Sequence, residues 1–419
     1  MTNTQTDAAR RRERLAELLT LARAYREWSQ AELARALGRD PSKIIPVSGI
    51  PKLDLVTRLA DVLDWSIEDV VTVLELPEGE GSPSAEGAGF TEFQTASRKA
   101  WVEGRYTEAA TIAERAYAVA ATPDERALAC VRGSVAWIAL GQVANPMEML
   151  QRGLREISAS RELRLILQSN LANLYYTNWQ LVEARALANE LIQWYAQNPA
   201  EDHRSRATEA FAYYVHGNAL RRLATTGSTK EQRTLEEAKC DLENASNLYS
   251  QLVTELDDET YAAIAHTCAG GIIEIDVELE HLQPRAALDR ITKEISGADD
   301  TRCSPPGEWP ESYGWWCVFG CNIARRHIPD NRELQRYLVL FTERADEIAR
   351  RTDSWPLRER LFTIEERNAA RLHEMTGRRF QPVLDTQDLR ALIGTIARFP
   401  AFRQTGLKLL RQARIVQSR

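Results

Sequence analysis

From Gly104 the chain runs Gly104-Arg-Tyr106-Thr-Glu-Ala109-Ala-Thr-Ile-Ala113-Glu-Arg-Ala116-Tyr-Ala-Val-Ala-Ala-Thr-Pro123. Ala109, Ala113 and Ala116 fall on one helical face at the three- and four-residue spacing, between a glycine and a proline that punctuate the ends. Small residues on that face let a second helix approach closely. The same beat returns at Ala184, Ala188 and Leu191, closed by Pro199. It returns more weakly at Ala238, Leu242 and Ala245, and again at Ala287, Ile291 and Ile295. Recurrence of this kind marks a stacked repeat array. Residues 90–352 are therefore expected to form roughly six helical hairpins, interrupted at Thr225–Thr234 and at Ser296–Pro310. Residues 353–419 are expected to continue as capping helices, because terminal repeats cover an otherwise open hydrophobic end.

Working toward the N-terminus, Pro77-Glu-Gly-Glu-Gly-Ser-Pro-Ser-Ala-Glu-Gly-Ala-Gly89 cannot hold a helix or pack a core, and 77–89 is expected to be a flexible linker. It sets off a first domain, 1–76, in which five short helices are expected. Leu15, Leu18, Leu19 and Ala22 form one stripe between Arg11 and Tyr25, and Ser29-Gln-Ala-Glu32 is a capping box. Asp40-Pro41 starts a third helix, which Pro46 should end by Ile45. Leu53–Asp64 and a helix capped by Ser66 complete the set. The fold class expected is all-α.

Composition narrows the function. The chain has 419 residues, 44% hydrophobic and 27% charged, which suits two or three folded domains. Its net charge of −7 argues against a general nucleic-acid coat, so contact with DNA would need a local patch. Such polarity exists: ten basic residues against five acids between Arg10 and Lys52, and one arginine against six acids over 53–76. The six scattered cysteines, the polar start and the lack of a long apolar run lead to an expectation of a cytoplasmic protein with no membrane partner.

The first domain resembles the phage-repressor (Xre-like) helix-turn-helix family. The resemblance lies in Trp28-Ser29-Gln30-Ala-Glu32-Leu33-Ala34-Arg-Ala36-Leu37-Gly38 and in Leu55-Val-Thr-Arg-Leu59-Ala60-Asp-Val-Leu63-Asp-Trp65-Ser66-Ile67. It implies double-stranded DNA as a partner, the second helix bracing the backbone and the third entering the major groove. Gln30 would then face phosphate, Arg39, Ser42, Lys43 and Ile45 would face the groove, and Lys52 would add to the basic face. Pro46 leaves that third helix only one turn.

The hairpin beat resembles the tetratricopeptide repeat, in which first helices line a concave groove. That register places Gln94, Arg98 and Trp101, then Asn173 and Tyr176, then Tyr214, Asn218, Arg221 and Arg222 in the groove. Asn173 and Asn218 would form a ladder able to clamp an extended peptide, and Arg98, Arg221 and Arg222 could hold its carboxylate. The combined architecture is similar to bacterial peptide-responsive transcriptional regulators. It implies a regulator that binds a peptide or protein segment and works as a homodimer. The alternative is a tetratricopeptide scaffold whose first domain mediates protein contact or dimerisation without touching DNA.

No enzyme, cofactor or metal is expected. Cys303, Cys317, Cys321 and His327 lack zinc-knuckle spacing and read as packing beside Trp315, Trp316 and Phe319. His203, His216, His266, His281 and His373 fall singly, none with a neighbouring nucleophile. Gly270-Gly271 marks close helix contact, and Asp257-Asp258 and Asp299-Asp300 read as caps or solubilising charge. The last thirty residues are basic and amphipathic, and are expected to dock as an end cap.

Overall fold

The computed structural model describes residues 3–41, 44–46, 51–63, 67, 70–71, 74, 89–103, 105–226, 232–256, 259–296, 308–377 and 382–416. These are almost wholly helical. The chain divides into two compact units, Met1–Gly87 and Ala88–Arg419. Of the linker expected over 77–89, all but Gly89 lies outside the described residues, as do Cys303, Asp257-Asp258, Asp299-Asp300, half of the expected interruption at 225–234 and most of that at 296–310.

In the first unit, α1 (Asn3–Arg26), α2 (Gln30–Ala36) and α3 (Leu53–Leu63) close over a core of Leu15, Leu18, Ala22, Leu33, Leu37, Leu55 and Leu59. The Ser29 cap forms as expected: the Ser29 amide donates to Glu32 Oε2 at 2.8 Å, and the Glu32 amide donates to Ser29 Oγ at 3.4 Å. Arg26 Nε donates to the Val62 carbonyl at 2.7 Å, tying α1 to the end of α3. The expected third helix is corrected. Pro41 lies in a turn and Ile44 and Ile45 in bends, so no described residue between α2 and α3 is helical. Ile44 is 7% exposed and Ile45 packs on the same core, so neither is presented to a groove. Two closely spaced prolines, each without an amide donor, account for this.

In the second unit, residues 90–351 form six consecutive helix pairs. These are α4 (Phe90–Val102) with α5 (Tyr106–Val119), α6 (Pro123–Ala139) with α7 (Ala144–Leu154), and α8 (Arg161–Thr177) with α9 (Leu181–Gln197). They continue with α10 (His203–Thr226) and α11 (Gln232–Leu256), α12 (Glu259–Glu278) and α13 (Pro284–Ser296), and α14 (Glu308–His327) and α15 (Asn331–Arg351). The even-numbered helices also touch one another in series, while the odd-numbered ones pack chiefly on their sequence neighbours. The result is an inner and an outer row. The alanines of the recurring beat sit at the seams: Ala109, Ala113, Ala116, Ala184, Ala188, Ala238, Ala245 and Ala287 are all at 0% exposure. Ser97 Oγ donates to the Ala109 carbonyl at 2.9 Å across the first seam. Gly270 and Gly271 are close-contact positions too, since a Cβ on Gly270 would meet the Phe319 ring at 2.8 Å.

After the pairs come α16 (Trp355–Thr376), α17 (Thr386–Arg398), a short 3₁₀ turn at Pro400–Phe402 and α18 (Arg403–Gln412). The all-helical expectation for this end is corrected by one small sheet, where β1 (Val383–Leu384) pairs in parallel with β2 (Arg414–Ile415). The basic last helix docks: Leu409 is buried with Leu392, Phe399 and Phe402, and Lys408 pairs with Glu366. This end reaches back to the beginning of the unit. Arg398 Nε donates to the Leu140 carbonyl at 3.0 Å, and Trp355 lies against Gly141 in the α6–α7 turn. Gly141 has φ +66° and a Cβ there would meet Trp355 Cβ at 2.6 Å, so the turn needs glycine twice over. No helix among the described residues is long and apolar enough to cross a membrane.

Candidate functional site

Because the inner row curls until its end meets the α6–α7 turn, its inward side chains enclose space. A cavity of about 240 Å³ is lined by Trp101 from α4, Asn170, Asn173 and Tyr176 from α8, Tyr214 from α10, and Trp315 from α14. Phe211 stacks on Tyr214, with centroids 6.0 Å apart. The volume falls below the roughly 300–1,000 Å³ that encloses a whole drug-sized ligand. It admits the end of a chain or a few side chains, so the expected clamp on an extended peptide is corrected to a chamber.

A second, smaller chamber of about 50 Å³ shares Trp315 with the first and is dominated by guanidinium groups. Arg221 and Arg222 come from α10, Arg325 and Arg326 from α14, and Arg360 and Arg367 from α16. Trp179 in the α8–α9 turn is its platform. The Arg360 guanidinium lies 3.7 Å from the Trp179 ring, and that of Arg222 lies 4.9 Å from it and 3.8 Å from Tyr176. Trp179 adopts φ +64°, a left-handed conformation that the Gly141 turn fills with glycine.

Carboxylates neutralise part of this charge. Arg221 pairs with fully buried Glu274, Arg326 bridges Glu274 at 2.5 Å and Glu278 at 2.6 Å, and Arg360 Nε is 3.3 Å from Glu359. Six guanidiniums thus face three carboxylates, one of which, Glu278, also takes His327 at 2.8 Å. Arg325 Nε is buried with no hydrogen-bond partner. Burial pushes the Arg360 guanidinium down to about 9 and that of Arg325 down to about 10, with repulsion from Arg367 and Arg326 adding to the latter. Burial also lowers Arg222.

Of the residues the sequence placed in the groove, Trp101, Asn173, Tyr176 and Tyr214 line the cavity together. The others go elsewhere. Asn218 is 3% exposed, donates to the Tyr214 carbonyl at 3.0 Å and accepts from Arg221 at 3.1 Å, so the Asn173–Asn218 ladder is not presented. Arg221 is committed to Glu274 rather than open to a ligand carboxylate. Arg222 lies in the arginine chamber and donates to the Tyr176 carbonyl at 3.3 Å. Arg98 is exposed and does not line the cavity, and the Gln94 amide is buried with no hydrogen-bond partner. Sequence reasoning missed Trp179, Arg325, Arg360 and Arg367. The available signal was a tryptophan at a turn position that elsewhere holds glycine, together with the Arg325-Arg326 doublet.

The expectation that no histidine stands beside a nucleophile is also corrected. His266 Nδ1 is 2.8 Å from Ser312 Oγ, and His266 Nε2 is 3.3 Å from Glu294 Oε1. Ser312 is 2% exposed, and its oxygen also accepts from Thr267 Oγ1 at 2.8 Å. The hydroxyl is therefore spent on joining α12 to α14, with the imidazole stacked on Trp316 at 4.6 Å. Among the described residues no group of three or more His, Cys, Asp or Glu side chains could hold a metal ion. Cys317 and Cys321 are buried, and burial pushes the Cys317 thiol up to about 12.

On the first unit, Ser42 and Lys43 lie outside the described residues. Gln30 turns its amide to the Pro41 carbonyl at 3.1 Å, and Lys52 is exposed. Arg39, expected to face bases, donates from one nitrogen, Nη2, to both carboxylate oxygens of Asp54 at 2.7 and 2.8 Å. No protein-family model matches the chain, and a search of curated proteins finds no match either.

Proposed function

We propose that the chain is a ligand-responsive regulator: a helix-turn-helix-type first unit that binds double-stranded DNA, joined to a tetratricopeptide-type solenoid that receives a short peptide end or a similar small ligand. The observation that carries the reading is the convergence of Trp101, Asn173, Tyr176 and Tyr214, from three helices of the inner row, on one cavity. Aromatic walls with a few amide groups are the usual lining of a small-ligand site. The Ser29–Glu32 cap and the Leu15–Leu33–Leu59 core support the DNA-binding half, and the unit's charge polarity provides its phosphate-facing side.

Anisotropy with duplexes tiling the region upstream of the chain's own gene, across a salt series, tests that half. Tight binding to one tile, falling steeply with salt and lost in an Arg39→Ala/Lys43→Ala variant, is the expected result. Thermal shift with pools of short synthetic peptides tests the other half. A stabilisation lost in Asn173→Ala/Tyr214→Ala, with the unliganded fold intact, is expected. A second reading, a scaffold whose first unit only makes protein contacts, is favoured by the turn at Pro41, the bends at Ile44 and Ile45, and the Arg39–Asp54 pair. Uniformly weak binding to every tile would select it.

A further inference from the structure

We propose that the arginine chamber is a binding site for a phosphate dianion, either inorganic phosphate or the phosphate of a small phosphomonoester. This inference is independent of whether the first unit binds DNA and of what enters the larger cavity.

After Glu274, Glu278 and Glu359 are assigned to Arg221, Arg326 and Arg360, the guanidiniums of Arg325 and Arg367 remain without an ion pair among the described residues. Concentrating like charges where water is scarce is unfavourable unless a counter-charge is brought in. A carboxylate brings one negative charge. A phosphate brings about 1.5 to 2 at neutral pH and three or more acceptor oxygens, closer to what the two remaining guanidiniums offer.

Geometry supports the same occupant. A space of about 50 Å³ holds about four waters, or one tetrahedral oxyanion, and excludes a nucleobase. The partnerless Arg325 Nε is a donor without an acceptor, and phosphate supplies one. Arg367 is exposed and gives the chamber an opening to solvent. Trp179 is held left-handed beneath Arg222 and Arg360, which limits the orientations their planes can take. Oriented guanidinium planes favour two-pronged contacts to oxyanions.

The test uses the full chain in phosphate-free buffer at constant ionic strength. Calorimetric titration and thermal shift are run with inorganic phosphate, glycerol 3-phosphate and acetate. Saturable binding of either phosphate, with acetate at least tenfold weaker, is expected, and the tighter of the two names the source. Arg325→Gln and Arg367→Gln should each weaken it about 10- to 100-fold, the usual loss for one hydrogen-bonded charge. Asn173→Ala/Tyr214→Ala should leave it unchanged, which separates this site from the larger cavity. Acetate binding as tightly as phosphate would overturn the proposal, as would a phosphate response no larger than that of matched chloride. A response that persists in both arginine variants, each folded by circular dichroism, would overturn it too.

Discussion

Two substitutions of the same kind, made in the same chamber, should move stability in opposite directions. Arg325→Met removes a guanidinium whose Nε has no partner, while keeping most of the apolar stem. Its downward shift, from the ordinary 12.5 to about 10, corresponds to about 3 kcal/mol of unfavourable folded-state charge. Arg325 is only part-buried, so screening at the chamber mouth reduces this to about 1–2 kcal/mol. The group is charged in both states at pH 7, so the penalty is present there and is relieved only as pH rises past about 10. Arg221→Met instead strands Glu274, which is fully buried and keeps only Arg326. Breaking a buried pair from one side costs about 3–5 kcal/mol, and the remaining arginine places this case at the lower end. Differential scanning calorimetry of the full chain without phosphate should show the transition of the larger unit rising by roughly 1.5–3 °C for Arg325→Met and falling by at least about 4 °C for Arg221→Met. A fall for Arg325→Met comparable with that for Arg221→Met would refute the reasoning, because it would mean the guanidinium is fully compensated.

Other outcomes follow from the same geometry. Gly141→Ala puts a methyl against Trp355 on a left-handed residue and should lower stability in urea by about 2 kcal/mol or more. Ser29→Ala removes the α2 cap and should cost about 1 kcal/mol, with hydrogen exchange accelerating at the Glu32 amide. Glu365 is a solvent-accessible residue lining a cleft of about 590 Å³ bounded by α15, α16 and α17, where desolvation by the surrounding protein, with repulsion from Asp346 and Asp388, lifts its carboxyl to about 7. The folded state keeps a proton that the unfolded chain releases near 4.5, so stability should decline as pH rises from 4.5 to about 7 and level off above. Glu365→Gln should remove part of that decline in a pH series of urea melts, and an unchanged slope would refute the assignment.

The hairpin beat was readable because it rests on local spacing. Alanines placed every three or four residues must lie on one face, and that face is buried at every recurrence from Ala109 to Ala287. The Ser29–Glu32 cap was readable for the same reason, since its partners are three residues apart. The inward positions Trp101, Asn173, Tyr176 and Tyr214 followed from register alone. The closure of the array was not readable. It depends on Arg398 reaching Leu140, and no local pattern encodes a contact across that much chain. The fate of Asn218 and Arg221 was hidden for a related reason, because Glu274 and Arg326, which decide it, belong to later helices. The expected third helix of the first unit is not seen at the described residues Pro41, Ile44 and Ile45, in the segment the sequence already cut to one turn at Pro46.

Much of the array follows local rules: glycine fills the α6–α7 turn, Thr122 and Asp330 cap helix starts, and small residues occupy the seams, while Glu280 and Asp353 take left-handed turns as Trp179 does. Around the arginine chamber three of these rules are broken together. Trp179 takes a left-handed backbone that disfavours any side chain by about 1–2 kcal/mol. Arg325 Nε is buried without an acceptor. Six guanidiniums converge on three carboxylates. Each departure lowers stability, and all three meet around one small space. Departures from local consistency gather where a chain serves something other than its own stability. Trp179→Gly separates the two explanations. If the turn is a fault of folding, the glycine relieves the backbone by about 1 kcal/mol against the lost packing of the indole, and phosphate binding is untouched. If the indole exists to hold Arg222 and Arg360, the same substitution still relieves the backbone but weakens phosphate binding, because the guanidiniums lose the ring that orients them.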